Sequence, residues 1–206
     1  MTNKDTCWYG AESFHKEMVK AVKSHLPLYQ VGHGKVLIEL LSEVDKEDTK
    51  LLDLGCGGAF LSTVVKGEYT GSDMGHVIEN ISKVCYPDLN YISVDIIEDD
   101  LSYLKNYDII VMNAIIDVME LPLQALDKVL KSCNEYVIIH RQDLSQGDVK
   151  ITKQESYGGF TYHSNVGERL FKHVIKHNGF IIEKEINSGL GLPNNKSFLL
   201  KKMTKE

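Results

Sequence analysis

Leu51-Leu52-Asp53-Leu54-Gly55-Cys56-Gly57-Gly58 is a short apolar run closed by an acid and a cluster of glycines. A run of that length ahead of glycines reads as a buried strand entering a tight turn. Glycine tolerates positive φ and lets a ligand approach the main chain without a Cβ in the way. At the carboxyl end of the first strand of an open α/β sheet, such a turn is where ligands bind.

On both sides of this turn, short apolar runs alternate with amphipathic helical patterns, the mark of a largely parallel sheet with helices on both faces. Before it, Phe14, Met18, Val19 and Val22 recur at helical spacing, and so do Val36, Leu37, Leu40, Leu41 and Val44. Residues 1–48 are therefore expected to form an N-terminal helical cap, and residues 49–206 one compact unit. Strands are expected over Lys50–Leu54, Tyr69–Asp73, Asn90–Val94, Asp108–Met112, Tyr136–His140, Phe180–Ile186 and Ser197–Lys201. Helices are expected from near Gly58, over His76–Cys85, around Leu101–Leu104, and over Leu123–Lys131 and Val166–His177. The polar stretch Gln142–Ser164 reads as a long connection, and connections of that length are commonly functional. The last two strands are joined too closely for a crossover helix, so they should pair antiparallel. The fold class that results is α/β: a seven-stranded, mostly parallel sheet with an antiparallel last strand.

The chain has 206 residues, 43% of them apolar and 25% charged, enough for one proper core without staples. Its formal net charge is −6 and its cations are scattered, so it lacks the concentrated basic surface that a nucleic-acid binder needs. The four cysteines, Cys7, Cys56, Cys85 and Cys133, stand far apart and read as reduced thiols rather than a disulfide framework or zinc site. No apolar run approaches the roughly 18 residues of a membrane helix, and the polar start shows no signal-peptide core. A cytoplasmic protein without a membrane partner is the expectation, and a homodimer is compatible with it.

Asp53, Gly55 and Gly57 match the acid-x-Gly-x-Gly motif of the class I S-adenosyl-L-methionine-dependent methyltransferases, and the sequence resembles that family from about Leu51 onward. Gly71-Ser72-Asp73-Met74 places an acid 20 residues after Asp53, and Val94-Asp95-Ile96 ends the third strand in another. Tyr107 to Asp117 resembles the family's fourth-strand segment, with Asn113 at its end. The resemblance implies S-adenosyl-L-methionine as cofactor. Asp53 would hold the loop or the methionine amino group, with Gly55, Cys56 and Gly57 passing beneath the cofactor. Asp73, beside Met74, would accept from the ribose hydroxyls. Asp95 would accept from the adenine amino group, with Ile96 packed on the ring, and Asn113 would line the methyl-donor pocket. Each acid taken alone is also a candidate helix cap. Phe60 stands where a dinucleotide fingerprint has its third glycine, which argues against an oxidoreductase. Asn113 is followed by Ala114-Ile115 rather than Pro-Pro-aromatic, which argues against adenine-N6 or glutamine methylation.

A sulfonium already carries a good leaving group, so alignment of the acceptor is the main task, and a hydroxyl acceptor also needs a base. His140, at the end of the fifth strand, is the first candidate base, and His163 in the long polar stretch is the second. Arg141 is a candidate partner for an anionic substrate group, with a surface ion pair to Asp143 as the plain alternative. The segment Tyr157 to Ser164 suits a mobile flap, and Ser164 or Asn165 equally suits a helix cap. Trp8, Tyr9, His15, Tyr29 and His33 are candidates to close the pocket from the cap. The expected reaction is methyl transfer to oxygen, or to nitrogen, of a small metabolite or sugar-like acceptor, with no metal. A protein or RNA acceptor, or a silent binding module, are the alternatives.

Overall fold

The structure, a computed structural model, describes residues 11–24, 27, 30–156 and 159–203. Of the cap residues named above, Trp8, Tyr9 and Tyr29 lie outside the described residues, as do Cys7, Tyr157 and Gly158. Two helices, α1 (Glu12–Ser24) and α2 (Gly32–Ser42), precede β1 (Lys50–Leu54) and β2 (Glu68–Asp73). Then come α3 (Gly75–Val77), a π turn (Ile78–Ser82) and α4 (Lys83–Cys85), which follow one another without a break. β3 (Asn90–Ser93), β4 (Ile109–Asn113), α5 (Pro122–Ser132) and β5 (Tyr136–Ser145) come next. The chain ends with β6 (Lys150–Ser156), β7 (Gly159–Gly167), α6 (Glu168–His177), β8 (Phe180–Asn187) and β9 (Asn195–Lys202).

The seven expected strands run β3-β2-β1-β4-β5-β9-β8. Pairs from β3 to β5 are parallel, and β9 runs antiparallel between β5 and β8. β1 lies between β2 and β4, so the winding reverses there, and the glycine turn sits at the switch point. Both faces are covered. Leu37, Leu40 and Leu41 of α2 pack on Leu51, Tyr69, Ile109, Val111, Ile138 and Leu199. Ala125, Leu126, Val129 and Leu130 of α5, with Phe171 and Ile175 of α6, cover Leu52, Ile110, Val137 and Phe198 on the other face.

Helix α2 has no side-chain N-cap hydrogen bond, an interaction worth about 1 kcal/mol. Burying each of its core leucines contributes about 1.5–3 kcal/mol, so packing rather than capping holds it. It forms part of the sheet's own core. Helix α1 lies instead on the segment after β2, through Phe14 against Val77 and Ile81.

Two expectations fail. No α-helix follows the glycine turn: a four-residue 3-10 segment, Phe60–Thr63, is all that separates it from the loop into β2. Asp45 accepts the amides of Lys66 and Gly67 and fixes this short link from below. The stretch Gln142–Ser164 is not a loop. β5 continues five residues past His140, and β6 and β7 then form an antiparallel hairpin docked parallel on β5 through Leu144 and Ser145. The sheet thus has nine strands, the seven expected and this added pair.

Candidate active site

Non-glycine residues with left-handed backbone cluster at the carboxyl edge of the sheet: Ala59 (φ 54°) after β1, Ala114 (φ 53°) after β4 and Arg141 (φ 63°) within β5. Such conformations persist only where the surroundings impose them, and they gather at functional sites. Gly55 (φ 77°) and Gly57 (φ 49°) extend the same edge.

The two glycines do different work. A Cβ on Gly55 would lie 2.1 Å from Cδ1 of Ile115, so its bare backbone lets the segment after β4 close onto the turn. A Cβ on Gly57 would meet nothing within 4 Å, so Gly57 borders open space. The Gly57 amide donates to Oδ2 of Asp73 (2.9 Å) and the Met74 amide to Oδ1 (2.7 Å). The second-strand acid therefore ties the turn to β2. A carboxylate has about four lone-pair sites, so two remain for a ligand hydroxyl. Ser82 donates to the Gly57 carbonyl (2.6 Å), and Cys56 Sγ lies 3.8 Å from the same hydroxyl. Burial pushes the Cys56 thiol well above the usual thiol range, so it is an inert packing group here.

Asp53 is fully buried and accepts from the Tyr69 hydroxyl (2.9 Å) on the neighbouring strand. Sequence reading did not single out Tyr69. Burial raises the Asp53 carboxyl from the ordinary 3.8 to about 7, against the lowering effect of Tyr69, and Asp73 adds repulsion. Burial likewise raises Asp73 to about 6, with the Gly57 and Met74 amides opposing. Both folded-state values lie above the unfolded ones, so the folded state holds these protons more tightly. Their stabilisation is fully present below about pH 4 and is lost as pH rises through about 6 to 7. The Asp53→Asn variant keeps an acceptor for Tyr69. It is expected to flatten the fall in melting temperature between pH 5 and 8, and an unchanged slope would remove Asp53 as its source.

After the third strand, Asp95 Oδ1 accepts the amides of Ile97 (3.0 Å) and Glu98 (3.3 Å) and closes a turn on itself rather than capping a helix. Ile96 is buried in the main core with Leu52, Leu54 and Leu101. Its side chain is committed to packing there, which counts against a free ring-stacking face.

At the ends of β4 and β5 the structure assembles a polar cluster. β5 bulges against β9 between Ile139 and Gln142, and Arg141 takes its left-handed backbone inside that irregularity. Bulges re-aim side chains, and Arg141 Nε reaches Asn113 Oδ1 (3.0 Å). Burial lowers the Arg141 pKa, with Asp117 opposing. Asp117, two residues past Ile115, is raised by burial to about 6; Arg141 opposes this and Asp143 adds to it. Asp143 takes Asn195 Nδ2 (2.5 Å) on one oxygen and His163 Nε2 (3.2 Å) on the other. Arg141 therefore donates to Asn113, and Asp117 rather than Asp143 is the carboxyl that acts on it electrostatically.

His140 is corrected as a base. It is 1% exposed, its Nδ1 meets Ser197 Oγ at 2.8 Å, and its ring lies 5.8 Å from that of His33. Burial first, then Arg141 and His33, lower its pKa to about 3. A neutral, enclosed imidazole that weak cannot take a hydroxyl proton near neutrality. His33 is thus a packing partner, and His15 lies 5.9 Å from His76, away from the cluster. His163 has its side chain 45% exposed and is aligned by Asp143. The capping expectation for Ser164 also fails, because its hydroxyl donates to the Met119 carbonyl, and Gly167 occupies the N-cap of α6. Sequence reading missed Asp117, Asp143 as a partner of His163, and Asn195. They come from three distant segments with no motif between them.

Among the described residues no group of three or more His, Cys, Asp or Glu is arranged to hold a metal ion. No helix of the described residues is long and apolar enough to cross a membrane.

No family model and no curated protein matches the chain. Solved structures do. The magnesium protoporphyrin IX methyltransferase of Synechocystis, with bound S-adenosylmethionine, aligns at 11% identity and TM-score 0.62 over 92% of this chain and 84% of that one. A methyltransferase from Methanosarcina mazei aligns at 13% identity and TM-score 0.63, over 81% of this chain and 98% of that one. The amino pentose methyltransferase CalS10 from Micromonospora echinaspora aligns at 10% identity and TM-score 0.61, over 91% and 96%. At these identities the likeness is one of fold, and with the glycine turn at the switch point and the reversed strand β9, the chain has the fold of the class I S-adenosylmethionine-dependent methyltransferases.

Proposed function

We propose that this protein transfers the methyl group of S-adenosyl-L-methionine to an oxygen, or failing that a nitrogen, of a small metabolite or sugar-like acceptor. The observation that carries the reading is the Gly57 turn, open above and tied by its amide to the Asp73 carboxylate at the strand end. The missing helix after the turn supports it further. A dinucleotide's pyrophosphate is held at a helix N-terminus, and four residues of 3-10 helix do not supply one. A sulfonium cofactor carries no phosphate and asks instead for carboxylates.

In this reading Asp53 with its Tyr69 partner, Gly55, Cys56, Gly57, Asp73 and Met74 form the cofactor cradle. Asp95 and Asn113 border it from the next strand ends, and Arg141 braces Asn113. Residues 1–48 would cover the unit formed by 49–206. His163 is the base. The acceptor oxygen attacks the methyl carbon as its bond to sulfur breaks with the electron pair going to sulfur. The hydroxyl proton passes to Nδ1 of His163, and Asp143 stabilises the resulting imidazolium. Two of the solved methyltransferases named above are named for a magnesium protoporphyrin and an amino pentose, which supports a small acceptor here. Cytoplasmic location and independence from nucleic acid remain part of the proposal, in line with the acidic charge of −6.

Calorimetric titration with S-adenosyl-L-methionine tests it. Micromolar binding is expected, tighter at pH 7.5 than at pH 6, because the cationic ligand favours the ionised forms of Asp53 and Asp73. No binding at either pH would sink the reading, and tighter binding of NAD would replace it with a nicotinamide-linked one.

A further inference from the structure

The polar cluster beyond β4 and β5 holds more hydrogen-bond acceptors than donors. Asp117 Oδ1 is buried and takes no hydrogen bond. Asn195 is 3% exposed. Its Nδ2 must face the Asp143 carboxylate, which fixes the amide orientation, and its Oδ1 is likewise buried without a donor. Buried polar atoms are normally paired. Two unpaired acceptors in one cluster leave a defined demand for N–H or O–H. Arg141, the cation of the cluster, is held by Asn113 and faces Asp117. The cluster thus sets two carboxyl groups, Asp117 and Asp143, beside the one guanidinium of Arg141.

Its position bears on the reaction. Ile115 closes on Gly55 at the cofactor turn, and Asp117 lies one short turn further on, in the 3-10 segment Ile116–Val118. The same carboxyl interacts electrostatically with His163 and Asp143. A molecule donating to Asp117 would thus lie between the turn and His163.

We propose that Asp117, with Asn195, anchors the acceptor as a hydrogen-bond donor, so that the site selects polyhydroxylated or amino-bearing neutral and cationic molecules and rejects anionic ones. The inference rests on the reading of this edge as a methyltransferase site, but it has its own test. D-Glucose and two sugars that each differ from it at one carbon, D-glucosamine and D-glucuronate, serve as probes. Binding is followed by ligand-observed NMR on the full chain, with and without S-adenosylhomocysteine. Glucosamine is expected to bind best and glucuronate at least tenfold more weakly. Asp117→Asn should remove most of that preference. Asn195→Ala, which leaves the backbone pairing of β9 intact, should weaken glucosamine several-fold without reversing the order, and it serves should Asp117→Asn fail to fold. Glucuronate binding as well as glucosamine, no binding by either donor-rich sugar, a preference undiminished in Asp117→Asn, or wild-type glucosamine affinity in Asn195→Ala overturns the anchor. If glucosamine binds but S-adenosylhomocysteine does not, the anchor stands and the cofactor reading falls.

Discussion

Gly55→Ala is expected to destabilise the protein by roughly 2–5 kcal/mol, whereas Gly57→Ala, two residues on, should cost only about 1–2 kcal/mol. Both positions hold a left-handed backbone, at φ 77° and 49°, so each substitution carries the alanine penalty of about 1–2 kcal/mol. Only Gly55 adds a collision, with Cβ 2.1 Å from Ile115 Cδ1 and 2.7 Å from Cγ1. Forcing a methyl into a packed site costs a further 1–3 kcal/mol or so. In a chain of this size, each kcal/mol moves the melting temperature by about 2–4 °C. Gly55→Ala should therefore melt several degrees below Gly57→Ala. Gly57→Ala should fold and yet bind S-adenosyl-L-methionine poorly, because its methyl enters the open space over the turn. Equal stability of the two variants would mean that Ile115 does not rest on Gly55.

Asp73→Ala should raise the dissociation constant for S-adenosyl-L-methionine about 100-fold. The side chain accepts two backbone amides, and hydrogen bonds to a charged group contribute about 1.5–3 kcal/mol each. Losing the Gly57 contact frees the turn, and losing the carboxylate removes the acceptor proposed for the ribose. Asp73→Asn keeps one carbonyl oxygen and should fall between the two. Calorimetry on all three proteins decides it, and wild-type affinity in Asp73→Ala would count against both roles.

The centre of the parallel sheet was legible because β1, β4 and the first half of β5 are buried on both faces and read as apolar runs bounded by turns. The antiparallel placement of β9 followed from the short link before it. The β6–β7 hairpin was not legible. β6, Lys150–Ser156, is exposed along nearly its whole length, so no burial forces an apolar alternation onto Lys-Ile-Thr-Lys-Gln-Glu-Ser. The helix expected near Gly58 is absent for a different reason: the chain has only the residues from Gly55 to Gly67 before β2 begins.

That Asp53, Gly57 and Asp73 meet at one edge was readable, since they follow strand ends in order. The cluster beyond β4 and β5 was not. Depth is invisible in a sequence, so His140 and His163 looked alike, although one is enclosed beneath Arg141 and the other stands on the hairpin rim. Asp143 and Asn195 are 52 positions apart, and only the insertion of β9 beside β5 brings them together.

That insertion has a consequence for how the molecule is made. β9 fills a slot between β5 and β8, so two strands synthesised earlier must wait apart, with their inner edges unpaired, for the one that joins them. Open strand edges are templates for wrong pairing, and partly folded chains of this kind are prone to aggregate. A ribosome that stalls before Asn195 would release a chain with two raw edges, no Ser197 to hold His140 and no Asn195 to hold Asp143. Such a chain would present the exposed edges and unpaired polar groups of a misfolded protein.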